Sequence, residues 1–318
     1  MYEAFFGLRE RPFDLTPNPR YLLLTPTHRE ALANLEYGIA AAKGLTLLIG
    51  EAGTGKTTLL RRVLALRMST AGSQCVYLNN PALSRGEFYE FLTAQFGLTP
   101  DAAGSKARFL EALELDLRQR QIAGMTPVLV IDEAQSLPDE LLEEVRLLAN
   151  IETDTAKLLP LVLAGQPELA VRLNQAGLRQ LKQRVTLRCE IAPLTLAETA
   201  AYIAGRIRLA GGDAPSLMSR DAVIRVFEYS AGVPRLISVL CDNALMTAFA
   251  AGQRPIDADM IRAVARDFDL SPMPGGGRGS PGFRTVGPAT QAIGWRATVS
   301  KLPWLRIRGA FRHQEQLS

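Results

Sequence analysis

Residues 46–68 read TLLIGEAGTGKTTLLRRVLALRM, and this stretch decides the fold. The apolar run 46–50 predicts a short buried strand, and the apolar spacing from 57 onward predicts a helix. Between them lie Gly50, Glu51, Ala52, Gly53, Thr54, Gly55, Lys56, Thr57 and Thr58, which contain the full pattern GxxxxGK[ST]. Glycines let the backbone wrap a phosphate with its N–H groups turned inward, and the helix that follows offers its N-terminus to the anion. Lys56 is expected to neutralise the β- and γ-phosphates, and Thr57 to offer its hydroxyl to Mg²⁺. Strand, loop and helix in this order make ATP with Mg²⁺ the expected ligand pair.

The same chemistry requires an acid at the end of a second buried strand. Residues 127–133, PVLVIDE, supply it. Asp132 is expected to hold the metal shell, and Glu133 to orient and deprotonate an attacking water.

Outward from these motifs the chain alternates strand and helix. A helix is predicted within 27–44, with Thr27 as its cap and Glu30 as the cap's partner. Strands are predicted at 73–80 and 158–165, and helices at 84–95, 105–123 and 138–150. Such alternation predicts a parallel α/β sheet with helices on both faces. Thr195 and Glu198 form a second capping-box signature. From there helical periods run at 196–210, 219–231, 234–251 and 256–268, with no strand expected between them. The expected organisation is an α/β nucleotide-binding domain over 1–194, an all-helical domain over 195–270 and a basic tail over 271–318.

Charge is unevenly placed. The chain carries a net charge of +4, yet residues 271–318 hold seven Lys or Arg and a single acid. The tail is therefore +6 and the remainder −2, which argues against a basic nucleic-acid-binding body. Residues 271–282 are rich in Pro, Gly and Ser and read as a flexible linker. Beyond it, Trp295, Trp304, Leu305, Ile307 and Phe311 interleave with Arg296, Lys301, Arg306, Arg308 and Arg312. Such a segment can meet an anionic membrane or an acidic partner, or stay a solvated end. The N-terminus has no continuous apolar run of the signal-peptide kind, and no stretch approaches a membrane span. Three scattered cysteines without a CxxC pattern read as free thiols in a reducing cytoplasm.

The phosphate loop, VLVIDEAQ at 128–135 and GVPR at 232–235 together resemble the AAA+ ATPases, P-loop NTPases with a helical lid. The opening MYEAFFGLRERPFDLTPNPRYLLLTPTHREALANLEYGI is more particular: it resembles the general secretion pathway protein A (ExeA-like) family. That family also includes pilus-biogenesis and exopolysaccharide- or exosortase-associated ATPases. The resemblance implies further roles. Gln166 matches a polar sensor at the end of the fourth strand. Arg184 matches an arginine finger acting on a neighbouring subunit, with Arg179 as the other candidate. Arg235 matches a second sensor on the first turn of a lid helix. Asn79 or Asn80 would hold Glu133 inactive. Phe5, Phe6 and Phe13 either cover the adenine or belong to the core.

The implied activity is ATP hydrolysis by a homo-oligomer. It would drive or regulate assembly of a bacterial envelope secretion or exopolysaccharide export system, from the cytoplasm or the periphery of the inner membrane. The alternative is a DNA-associated ATPase of the transposition or replication-initiation type. The periplasmic peptidoglycan-binding domain of the longer family members has no counterpart in these 318 residues.

Overall fold

The computed structural model describes residues 1–16, 19–21, 23–68, 74–79 and 82–273, all in one compact unit. Its centre is a five-stranded, all-parallel sheet in the order β2-β3-β4-β1-β5, where β1 is Leu45–Gly50, β2 Cys75–Leu78, β3 Val128–Ile131, β4 Leu161–Gly165 and β5 Val185–Ile191. Parallel strands need crossovers and bury both faces. On one face Leu47, Ile49, Leu129, Ile131 and Leu163 pack with Phe88 and Leu92 of α4 (Arg85–Phe96), Phe109 and Leu113 of α5 (Lys106–Ile122) and Leu141 of α6 (Asp139–Leu148). On the other, Leu48, Val128, Val130 and Val162 meet Leu35 and Ile39 of α2 (Pro26–Ala40) and Leu59 and Val63 of α3 (Lys56–Met68). Alternation along β1 to β4 thus divides their apolar side chains between two cores.

Three expectations are corrected. The cap of α2 is Thr25, whose Oγ accepts from the His28 amide, whereas Thr27 lies inside the first turn. Pro26 decides this: its fixed φ suits the first helical position and holds the preceding residue extended, as a cap must be. The second correction is β5, absent from the sequence reading. It pairs with β1 from Leu45↔Val185 to Gly50↔Ile191. Thr186, Arg188 and Glu190 alternate with Val185, Leu187, Cys189 and Ile191, the period-2 pattern of an edge strand with one exposed face. The third is a short helix, α10 (Ala214–Leu217), in a stretch read as a loop. The expected capping box of Thr195 with Glu198 is present, and Ser84 with Glu87 forms another at the start of α4.

After β5 the described chain is helical: α9 (Leu196–Leu209), α11 (Arg220–Ser230), α12 (Pro234–Ala251) and α13 (Ala258–Asp267) surround Ile203, Ile207, Val226, Leu240, Cys241 and Ile261. The N-terminal segment completes this core. Tyr2 and Phe6 of α1 (Tyr2–Phe6), together with Leu8 and Phe13, are buried in it. The Tyr2 hydroxyl donates to Asp242, and the Arg9 amide donates to the Ala210 carbonyl at 2.8 Å. Phe6 and Phe13 are therefore core side chains, and Phe5 packs half-buried at their edge. Two short helices, α7 (Pro167–Arg172) and α8 (Arg179–Gln183), link β4 to β5. Among the described residues no helix is long and apolar enough to cross a membrane.

Gly232 ties the helical part to the sheet. Its carbonyl accepts from the Leu194 amide at 2.8 Å, its φ is +75°, and a Cβ there would sit 1.9 Å from the Leu194 carbonyl oxygen. A side chain would meet both a left-handed backbone and a backbone clash. Gly232→Ala should lower unfolding stability by about 3 kcal/mol, read as a shifted urea midpoint. An unchanged midpoint would contradict the packing of Gly232 on Leu194.

Candidate nucleotide site

The phosphate loop joins the end of β1 to α3. Gly53 and Gly55 take φ of +80° and +104°, in the range that favours glycine. A Cβ on Gly50 would lie 2.8 Å from Thr54 Oγ1, and one on Gly53 would lie 2.7 Å from the Arg235 Cβ. The cradle therefore excludes side chains at these turns. The Thr54 hydroxyl closes the loop by donating to the Glu51 carbonyl at 2.8 Å.

Lys56 is only 4% exposed, and its ammonium donates to the carbonyls of Gly50 at 2.8 Å and Glu51 at 3.1 Å. Burial pushes its pKa down, partly opposed by Glu133 and Asp132. No carboxylate of the described residues lies within ion-pair distance of it. A buried cation held only by carbonyls is chemically ready for an anion.

Asp132 follows β3 and is fully buried. One oxygen accepts from the Thr57 hydroxyl at 2.7 Å and the Tyr77 hydroxyl at 2.8 Å, and the other from the Glu133 amide at 2.9 Å. Burial and the adjacent Asp132 push the Tyr77 hydroxyl up, so it remains a donor. Glu133 itself adopts a left-handed conformation with φ of +51°. Such a φ is unusual for a residue with a side chain and is found at functional turns. Its carboxylate accepts from Gln135 Nε2 at 2.6 Å and Gln166 Nε2 at 3.4 Å. Gln135 also takes the Gln166 amide at 3.1 Å. Two amide side chains thus hold Glu133 at the mouth of the loop. Asn79, expected to do this, is exposed and makes no such bond, and Asn80 lies outside the described residues.

The phosphate loop and Glu133 open onto one cavity of about 340 Å³. Gly53 to Thr58 and Glu133 form one end. The rest is lined by Asp14, Leu15, Thr16, Tyr21, Leu23 and His28 from the N-terminal segment, and by Leu194, Tyr202, Arg206, Pro234, Arg235 and Ser238 from the helical part. Arg235 is exposed on the first turn of α12, and its amide donates to the Gly53 carbonyl at 3.2 Å. Arg184 is exposed at the end of α8 and does not line this cavity; nor does Arg179.

A family model described as an AAA domain matches residues 40–173. General secretion pathway protein A of Aeromonas hydrophila is 38% identical over 297 residues, which is 93% of this chain. The chain carries an AAA domain and is similar to general secretion pathway protein A along most of its own length. It spans about half, 53%, of that relative's length. ATP-dependent target DNA activator B of Escherichia phage D108 is 25% identical over 258 residues, 80% of this chain and 75% of that protein. Among solved structures, Cdc6p from Pyrobaculum aerophilum superposes with a TM-score of 0.63 at 20% identity, over 80% of this chain and 70% of that one. The ORC2 protein of Aeropyrum pernix gives 0.59 at 18% identity, over 81% and 71%. These two likenesses establish the shared fold.

The fold thus brings together the phosphate loop, Asp132, Glu133, Gln166 and Arg235. Sequence reasoning missed Tyr77, Gln135, His28, Tyr21, Tyr202 and Arg206. Only Tyr202 and Arg206 carried a signal, as polar groups one turn apart on a helix otherwise apolar on that side. His28 is 2% exposed. Its Nδ1 lies 2.6 Å from Thr25 Oγ1, and its Nε2 lies 3.2 Å from the Thr54 carbonyl. The carbonyl can only accept, so Nε2 carries the proton and the ring braces the phosphate loop from α2.

Burial depresses the His28 pKa below its ordinary 6.5. The unfolded chain therefore takes up this proton first, and stability falls as pH drops below about 6.5. His28→Gln, which keeps a donor for Thr54, should flatten that acid limb between about pH 6.5 and 5 in urea titrations. An unaltered limb would contradict a neutral, buried His28.

Proposed function

We propose that this ATPase hydrolyses ATP to drive or regulate assembly of a bacterial envelope secretion or exopolysaccharide export system. The observation that carries this reading is the 38% identity to general secretion pathway protein A, which runs over 93% of the chain. The region of likeness is therefore much wider than the phosphate loop and its acid.

The residues support a division of labour. Backbone amides of Gly53, Gly55 and their neighbours, together with Lys56, bind the phosphates. In the geometry described, the Thr57 hydroxyl spends its proton on Asp132. One hydroxyl and one carboxylate are the few protein ligands Mg²⁺ takes when phosphates and water complete its shell. Thr57 and Asp132 would hold that ion, which neutralises charge on the transferring phosphoryl group. Glu133 acts as the base that orients water, and Gln135 and Gln166 restrain its carboxylate until the γ-phosphate is seated. Arg235 brings a cation from the helical part, residues 195–270, which thereby acts as a lid. Exposed Arg184 has no reach into its own cavity and suits a role in a neighbouring subunit of a homo-oligomer. In this reading the protein works at the cytoplasmic side, with contact to an inner-membrane surface through 295–312, which lies outside the described residues.

A second reading is a DNA-associated ATPase. It is favoured by the 25% identity to the phage D108 protein, whose name states DNA activation. Against it stands the net charge of −2 over residues 1–270.

Lys56→Ala should abolish ATP binding, whereas Glu133→Gln should bind ATP normally and lose turnover by about 10²-fold or more. Activity per wild-type subunit should rise with protein concentration, and Arg184→Ala should remove that rise. The Glu133→Gln variant, locked with ATP, should co-purify with envelope proteins from membranes. Recovery of duplex DNA instead, with no envelope partner, would favour the second reading. Equal loss of ATP affinity in both variants would overturn the assigned roles.

A further inference from the structure

Arg206 is the most conspicuous charged group of the cavity that the reading above leaves without a task. It is 8% exposed on α9, with Tyr21 and Tyr202 against it. The guanidinium carbon lies 4.8 Å from the Tyr21 ring centre and 5.1 Å from that of Tyr202. Nη1 donates to the Tyr202 hydroxyl at 2.7 Å and to Ser238 Oγ at 2.8 Å. Nε is buried with no hydrogen-bond partner among the described residues. No described carboxylate lies within ion-pair distance of Arg206.

A buried cation without a counter-ion, and with an N–H left unused, is costly unless something else completes it. Aromatic faces and two hydroxyls offset part of that cost. The rest can come from a ligand, because Arg206, Tyr21, Tyr202 and Ser238 all line the cavity that the phosphate loop closes at its other end. If the loop takes the phosphates, these side chains meet the nucleoside. Arginine only donates. Its complement on a nucleoside is a lone pair, either on a purine ring nitrogen or on a ribose hydroxyl oxygen.

We propose that Arg206 is a specificity-determining residue that donates a hydrogen bond to an acceptor atom on the nucleoside half of ATP. Tyr21 and Tyr202 hold its guanidinium plane, so the nucleoside end is recognised by residues from the N-terminal segment and the helical part together. The inference rests on the nucleotide reading of the cavity and assigns its remaining end.

The test compares ATP with inorganic tripolyphosphate, which has the phosphates and no nucleoside, by calorimetry on the full chain. Wild type should bind both. Arg206→Gln and Arg206→Lys should weaken ATP by about 10- to 100-fold, the range for a hydrogen bond to a charged group, and leave tripolyphosphate unchanged. Retained tripolyphosphate binding also reports an intact fold. Analogues lacking one acceptor (3-deaza-ATP, 7-deaza-ATP, 1-deaza-ATP and 2′-deoxy-ATP) identify the atom. The correct one loses the same factor in wild type and nothing further in the variants. Should neither variant fold, that analogue series on the wild-type chain decides alone. If ATP and tripolyphosphate weaken equally or not at all, or if no analogue differs from ATP in wild type, the assignment to Arg206 is overturned. If wild type binds neither ligand, the nucleotide reading itself fails, independently of Arg206.

Discussion

Lys56 imposes the constraint on which the site depends. Its ammonium is buried, and two loop carbonyls are its hydrogen-bond partners. A charge in that position is tolerable only if the loop is held in shape and an anion can reach it. The surroundings meet the first condition from several directions. Two positive-φ glycines turn the loop, Thr54 closes it and His28 braces it from α2. Arg235 then approaches so closely that only glycine fits at position 53. The second condition is met by the cavity that opens at the loop and is walled by the N-terminal segment and the helical part.

The N-terminal segment is the least ordinary part of this design. Tyr2, Phe6, Leu8 and Phe13 belong to the helical core, Asp14, Leu15, Thr16, Tyr21 and Leu23 contribute to the cavity wall, and His28 in the first turn of α2 touches the loop. One continuous stretch of chain therefore connects the core of the helical part to the phosphate end of the site.

Much of this was legible in the sequence, for identifiable reasons. The loop, Asp132 and Glu133 are local motifs whose chemistry requires fixed spacing, so they read directly. The capping box of Thr195 with Glu198 read for the same reason. The fifth strand could have been found, since Thr186, Arg188 and Glu190 alternate with apolar neighbours. It is masked because it follows directly on the charged helical turn Arg179–Gln183, which has no period-2 pattern. The aromatic choice at Phe5, Phe6 and Phe13 could not be resolved from composition, because core and ligand contacts use the same side chains. Tyr77, His28 and the Arg206 cluster were illegible for a different reason. Each acts across distant elements, as Tyr77 does from β2 to Asp132 after β3, and only the folded chain brings them together.

The central claim is that one nucleotide joins the phosphate loop, the N-terminal segment and the helical part in a single cavity. Hydrogen–deuterium exchange of the full chain, with and without a non-hydrolysable ATP analogue and Mg²⁺, tests it directly. The account predicts slowed exchange in 50–58 and, in the same experiment, in 14–28 and 194–206. Protection restricted to 50–58, with 14–28 and 194–206 unchanged, would contradict it.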